Sequence, residues 1–183
     1  MGGYSPVIFL AICVIILTAI FVVVGMQNSK YQKAQKENNT DKRDMLDLMS
    51  RVMQEAYSNY TYLVGYYTKT QQHLNSTTFY YFPYILAFTQ EELIVFPFIK
   101  KEGKLYVRNR LDVNWSQTEF KYKIGKKGTT LTLKIVGEKM PINLNPVIKG
   151  CGVEKSDRPL CVFQEQEYDL FLRYLPGYQS KAK

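Results

Sequence analysis

The stretch Glu119-Phe120-Lys121-Tyr122-Lys123-Ile124-Gly125-Lys126-Lys127-Gly128-Thr129-Thr130-Leu131-Thr132-Leu133-Lys134-Ile135 decides how the chain is read. Phe120, Tyr122 and Ile124 alternate with Lys121 and Lys123 before the turn Gly125-Lys126-Lys127-Gly128. Leu131, Leu133 and Ile135 alternate with Thr130, Thr132 and Lys134 after it. A period of two marks a half-buried strand, and two such runs around a glycine-bounded turn make a hairpin. A symmetric loop sets Tyr122 opposite Leu131 and Phe120 opposite Leu133 on the inner face. It sets Glu119 opposite Lys134 on the outer face, a favourable cross-strand pair. A slip of one residue would turn every side chain over, so the register is well specified.

Upstream the reading stays β. Phe79 to Phe88 and Leu93 to Ile99 are apolar runs separated by Thr89-Gln90-Glu91-Glu92, which suits another hairpin. Pro97 puts the end of the second run at an edge. Leu105 to Val113 follows the turn Lys101-Glu102-Gly103-Lys104. Tyr60 to Tyr67 alternates like a strand but also fits a helix ending at Gly65. Gln71 to Thr78 reads as a polar loop holding the only histidine, His73. Downstream, Met140, Ile142 and Leu144 suggest a last short strand, and residues 145–160 a long loop. Tyr168, Phe171, Leu172 and Leu175 form a helical apolar face that Pro176-Gly177 stops. The acids Glu165, Glu167 and Asp169 favour the start of that helix through its dipole.

The amino end is of another kind. Residues 1–29 carry no charge, so the formal +8 of the 183-residue chain lies beyond them. Residues 6–26 are apolar apart from Thr18, and about 20 such residues cross a bilayer's hydrocarbon core. A cleaved signal peptide would need a basic start and a small-x-small exit, and neither is present. Residues 27–58 read as a polar stalk and then an amphipathic helix. That helix starts at Asn39-Thr40-Asp41 and buries Met45, Leu48, Met49, Val52 and Ala56. Lys30, Lys33, Lys36, Lys42 and Arg43 follow the apolar run and nothing basic precedes it. The positive-inside rule then puts residues 1–5 outside and the C-terminal domain in the cytoplasm. Two features point the other way. One is a set of four N-x-Ser/Thr sequons, at Asn38, Asn59, Asn75 and Asn114. The other is the pair Cys151 and Cys161, which brackets a short loop as an extracellular disulfide would.

Several short antiparallel strands followed by one amphipathic C-terminal helix resemble the pleckstrin-homology-like fold. In particular, Tyr84-Ile85-Leu86-Ala87-Phe88-Thr89-Gln90-Glu91-Glu92-Leu93-Ile94-Val95-Phe96-Pro97 is similar to the strand-turn-strand near the start of bacterial pleckstrin-homology-like domains. The resemblance implies an α+β, mainly β fold. Residues 59–176 would form a bent antiparallel barrel or sheet capped by the C-terminal helix, with residues 177–183 as a tail. Eukaryotic members of that fold bind phosphoinositides through a Lys-x(n)-Arg-x-Arg pattern. Lys104-Leu105-Tyr106-Val107-Arg108-Asn109-Arg110 has that spacing, one hairpin later.

Catalysis is hard to build from these residues. There is no nucleophile elbow, no zinc-protease helix, no phosphate loop and no dinucleotide fingerprint. Neither an enzyme nor a cofactor or metal is expected. The basic surface has content: residues 98–140 hold eleven Lys or Arg against four acids. Lys104, Arg108, Arg110, Lys121, Lys123, Lys126, Lys127 and Lys134 are the candidate anion- or lipid-binding residues. The expected role is a non-catalytic, single-pass membrane-tethered binding or scaffolding module. It would engage a protein partner through a strand edge or helix groove. Anionic headgroup binding through the basic hairpins is the other reading, and nucleic acid is not expected.

Overall fold

The computed structural model describes residues 6–73, 76–102, 104–126, 128–135, 137–151 and 160–182. The chain divides into two compact units, Met1–Asn38 and Asn39–Lys183. The first is a single helix, α1 (Pro6–Asn38). Its stretch Leu10–Gln27 has a mean hydropathy of 2.7 with none of it buried, so the helix is long and apolar enough to cross a membrane. The one polar side chain of the apolar run, Thr18, bonds back to the carbonyls of Val14 and Ile15. The helix does not stop at residue 26. It runs through the polar stretch to Asn38, because Lys, Gln, Ala and Glu are all good helix formers.

The second unit opens with α2 (Thr40–Met53) and a 3₁₀ turn, Gln54–Asn59. Then come β1 (Thr61–His73), β2 (Ser76–Phe88), β3 (Leu93–Lys101), β4 (Lys104–Val107) and β5 (Leu111–Asp112). A short 3₁₀ turn, Trp115–Gln117, leads to β6 (Glu119–Gly125), β7 (Gly128–Ile135) and β8 (Glu138–Leu144). The chain ends with β9 (Val147–Cys151), β10 (Leu160–Phe163) and α3 (Glu165–Lys181). Eight strands form one antiparallel sheet in the order β4-β3-β2-β1-β8-β7-β6, with β5 also on β3. Among the described residues the sheet is not closed: β4 and β6 are its ends, so of the expected barrel or sheet the chain forms an open sheet. β9 and β10 make a separate ribbon.

The β6–β7 register is the one its alternation requires: Tyr122 faces Leu131, Phe120 faces Leu133 and Glu119 faces Lys134. Lys134 Nζ donates to Glu119 Oε1 at 2.6 Å. β3 leaves β2 at Pro97, whose partner Tyr84 is the last pair of that ladder. β4 and β5 both lie on the outer side of β3. Two residues of β3 separate its pairs with Val107 and Leu111, against three on the other chain, so Arg108-Asn109-Arg110 forms a bulge. β8 meets β1 only at Gly65 and Tyr66. Gly65 permits that approach, since a Cβ there would lie 2.5 Å from Ile142 Cγ2.

The first three strands are covered on both faces, which explains their unbroken apolar runs. Tyr62, Val64, Ile85, Ala87, Ile94 and Phe96 pack against α2 and the β9–β10 ribbon. Leu63, Leu86, Phe88 and Val95 face α3, as do Leu131, Leu133, Ile142 and Leu144. Phe171, Leu175 and Tyr178 are fully buried, each contributing about 1.5–3 kcal/mol. Three side chains stitch the layers at the backbone. Asn39 Nδ2 donates to Phe163 O at 2.8 Å, and Asp41 Oδ2 accepts from Cys161 N at 2.7 Å. Gln164 bonds to Val64.

Four sequence expectations change. Residues 71–73 and 76–78 belong to strands, because Thr and Gln pair well in a solvated ribbon; β1 and β2 match over thirteen positions. The expected loop 145–160 contains β9 and part of β10, where Ile148, Leu160 and Val162 complete the core against α2. Pro176 does not end α3, which continues to Lys181 because Tyr178 is buried against Trp115 and Phe120. Val52 is exposed, and Met53 takes the buried place on α2 instead. Residues 1–5 and 183, Asn75 and Lys127 lie outside the described residues.

Candidate functional site

The α2 helix buries Met45, Leu48, Met49 and Met53, and turns Asp44, Asp47, Arg51 and Val52 outward. Asp44, Asp47 and Arg51 are spaced three and four apart and form one stripe, with Val52 beside it. Beside the stripe runs β4, the last strand of the sheet, with no strand on its outer side among the described residues. Between them lies a groove of about 590 Å³. Leu48 and Val52 line its helical side, and Leu105, Tyr106 and Val107 its strand side, with Asp44, Asp47, Arg51 and Lys104 at the rim. Val52 is 41% and Tyr106 47% exposed, high for apolar side chains facing one cleft. An open strand edge offers a row of unpaired backbone donors and acceptors. Beside a groove with apolar side chains between charged rims, that edge is the layout used to add an extended peptide as one more strand.

The expected basic residues fall into two groups. Lys104, Arg108 and Arg110 lie at the β4–β5 edge; Lys121, Lys123, Lys126 and Lys134 lie at the β6–β7 end. Two of these seven are matched by carboxylates. Arg110 makes bidentate bonds of 2.6–3.0 Å to Asp112, which raise its pKa, and Lys134 pairs with Glu119. That hydrogen bond lowers the Glu119 carboxyl below the ordinary range. Arg108 donates its backbone N–H to Pro97 O at 2.8 Å and borders a 200 Å³ recess with Tyr81, Phe82 and Tyr84. Lys121, Lys123 and Lys126 are exposed and make no ion pair among the described residues.

Arg110 and Glu119 are each engaged with their own partners at different ends of the strand order. Cys161, which its spacing offered as a mate for Cys151, is a free thiol with 1% exposure. Burial raises its pKa. In the ribbon ladder it is Leu160 that stands across from Cys151. Among the described residues no cluster of His, Cys, Asp or Glu is arranged to hold a metal.

Two features of these surfaces escape a sequence reading. The groove depends on which side of α2 the sheet covers, and Val52 sits at the boundary of its apolar stripe. The only sequence signal for the open edge is the shortness of Lys104–Val107 before Arg-Asn-Arg. No protein-family model, no curated protein and no solved structure matches the chain.

Proposed function

We propose that this chain is a non-catalytic binding module of the pleckstrin-homology-like kind, anchored by one membrane-crossing helix. Its partner is a protein that adds an extended segment to β4 while its side chains fill the groove against α2. The observation that carries this reading is the coincidence of an open strand edge with a groove of about 590 Å³ whose floor of Leu48, Val52, Leu105, Tyr106 and Val107 is rimmed by charged side chains. Main-chain hydrogen bonds would supply affinity there and the groove would supply specificity. The basic residues after the apolar run, Lys30 to Arg43, favour a cytoplasmic domain. A membrane tether raises the effective concentration of a partner on the same surface, so a modest groove suffices.

A photo-crosslinking residue in place of Tyr106 in the full-length chain tests the reading in cells. The expected result is a discrete protein adduct that disappears when Val52→Asp puts a charge into the groove. No adduct, or one indifferent to Val52→Asp, counts against it.

A further inference from the structure

The β6–β7 hairpin extends past the core that its first residues help to build. Phe120 is buried and Tyr122 half-buried on the inner face. Ile124, next on that face, is 58% exposed, the most exposed large apolar side chain among the described residues of the unit Asn39–Lys183. Lys121 and Lys123 project from the opposite, outer face of the same strand and Lys126 lies in the turn, all exposed and without an ion pair among the described residues. A recess of about 510 Å³ adjoins the turn, bordered by Lys126, Thr130, Asn143 and Asn145. The hairpin end therefore combines three exposed positive charges outside any ion pair with one uncovered branched apolar side chain.

We propose that this tip docks on an anionic lipid surface. The lysines would meet headgroup phosphates, their stems lying along the interface with the ammonium groups outermost. Ile124 would enter the boundary between headgroups and acyl chains, as the apolar face of an interfacial segment does. The charge is complementary to an anionic bilayer, and the same chain carries a helix long and apolar enough to enter one. A nucleic acid would match the lysines but give Ile124 nothing apolar to occupy. This surface is at the opposite end of the strand order from β4, so the inference stands apart from the peptide groove.

Gly125 is a site for a reporter, since a Cβ there meets only Gly128 O, at an ordinary 3.4 Å. The full-length chain, with its native cysteines replaced by alanine and Gly125→Cys carrying a polarity-sensitive fluorophore, is placed in nanodiscs. One set is phosphatidylcholine alone; the other is one third phosphatidylglycerol. The expected result is blue-shifted emission, quenched by spin-labelled lipid, in the anionic discs only. Lys121→Glu, Lys123→Glu and Lys126→Glu together should reduce the docked fraction relative to the free by roughly 100-fold, from about 5-fold per lysine. Salt near 1 M, where the screening length is about 3 Å, should do likewise. Ile124→Ser should shift the emission toward water. Emission of Trp115, the single tryptophan, reports that each variant is folded. A label that stays aqueous in both discs overturns the proposal and leaves the tip to an acidic protein or to solvent. A blue shift that survives charge reversal overturns it too.

Discussion

The side-chain amide of Gln164 occupies the place of a strand beside Val64. Its Nε2 donates to Val64 O and its Oε1 accepts from Val64 N, both at 2.8 Å, across a hundred residues of chain. Nε2 also donates to Asn145 O at 2.9 Å. β8 pairs with β1 only at Gly65 and Tyr66, so Gln164 continues the ladder where β8 has ended. Gln164 is 1% exposed, and water cannot replace it.

Gln164→Leu should therefore cost about 2–4 kcal/mol, because it removes the partner of both buried backbone groups of Val64. Gln164→Glu should be milder and depend on pH. A carboxylate still accepts from Val64 N but repels two carbonyls, whereas a protonated carboxyl donates. Its folded-state pKa is raised, so this variant should gain stability as pH falls. Urea unfolding followed by Trp115 emission measures both.

Lys100 Nζ lies 3.4 Å from Asp41 Oδ1, with both residues under 10% exposed. Lys100→Met takes away the positive charge that faces Asp41 in a buried setting, while Cys161 N still donates to Asp41 Oδ2. It should cost about 3 kcal/mol, the low end for breaking a buried pair. Adding Asp41→Asn, which keeps an acceptor for Cys161 N, should recover part of that loss. A double-mutant cycle in chemical denaturant checks the coupling.

Pro176 lies inside α3, where proline costs about 3 kcal/mol. Tyr178, two residues on, stacks on Trp115 with ring centroids 4.9 Å apart and meets Phe120 and Phe171 edge-on or tilted. Its burial and ring pairs offset the proline. Pro176→Ala should raise stability by about 1–3 kcal/mol. Tyr178→Ala should lower it by about 3–5 kcal/mol and release the helix end, seen as increased hydrogen exchange over residues 176–181.

Tyr62 and Tyr178 should define an alkaline limit. Burial pushes the Tyr62 phenol up to about 12 and also raises that of Tyr178. A raised folded-state pKa means that the contribution is complete below pH 10, the unfolded value. It is lost as pH climbs toward 12, because the unfolded chain ionises first. Absorbance titration should show these two phenols ionising together with unfolding, and Tyr62→Phe should flatten the stability loss between pH 10 and 12.

Much of the sheet was legible because alternation is local. The Phe120–Ile135 hairpin, its register and the start of α2 at Asn39 follow from neighbouring residues alone. What escaped depends on distant contacts. Gln71 to Thr78 looks like a loop until its two halves pair, and Asn145 to Leu160 looks like one until Ile148 and Leu160 find α2. Pro176 is a stop signal that holds only where nothing beyond it is worth burying, and Tyr178 is. Sequence could not show that Arg110 and Lys134 are already matched, or that strand order separates Lys104 from Lys121.

Hydrogen exchange at β4 tests the central claim most directly. A peptide selected from a random library on the full-length, nanodisc-embedded chain is added at saturation, and amide exchange is compared with the free chain. The groove account expects slowed exchange at Lys104–Val107, whose outward amides gain partners, with a smaller effect on the Asp44–Val52 side of α2 and none at β6. Protection confined to other segments, or strong binding with no change at β4, would contradict it.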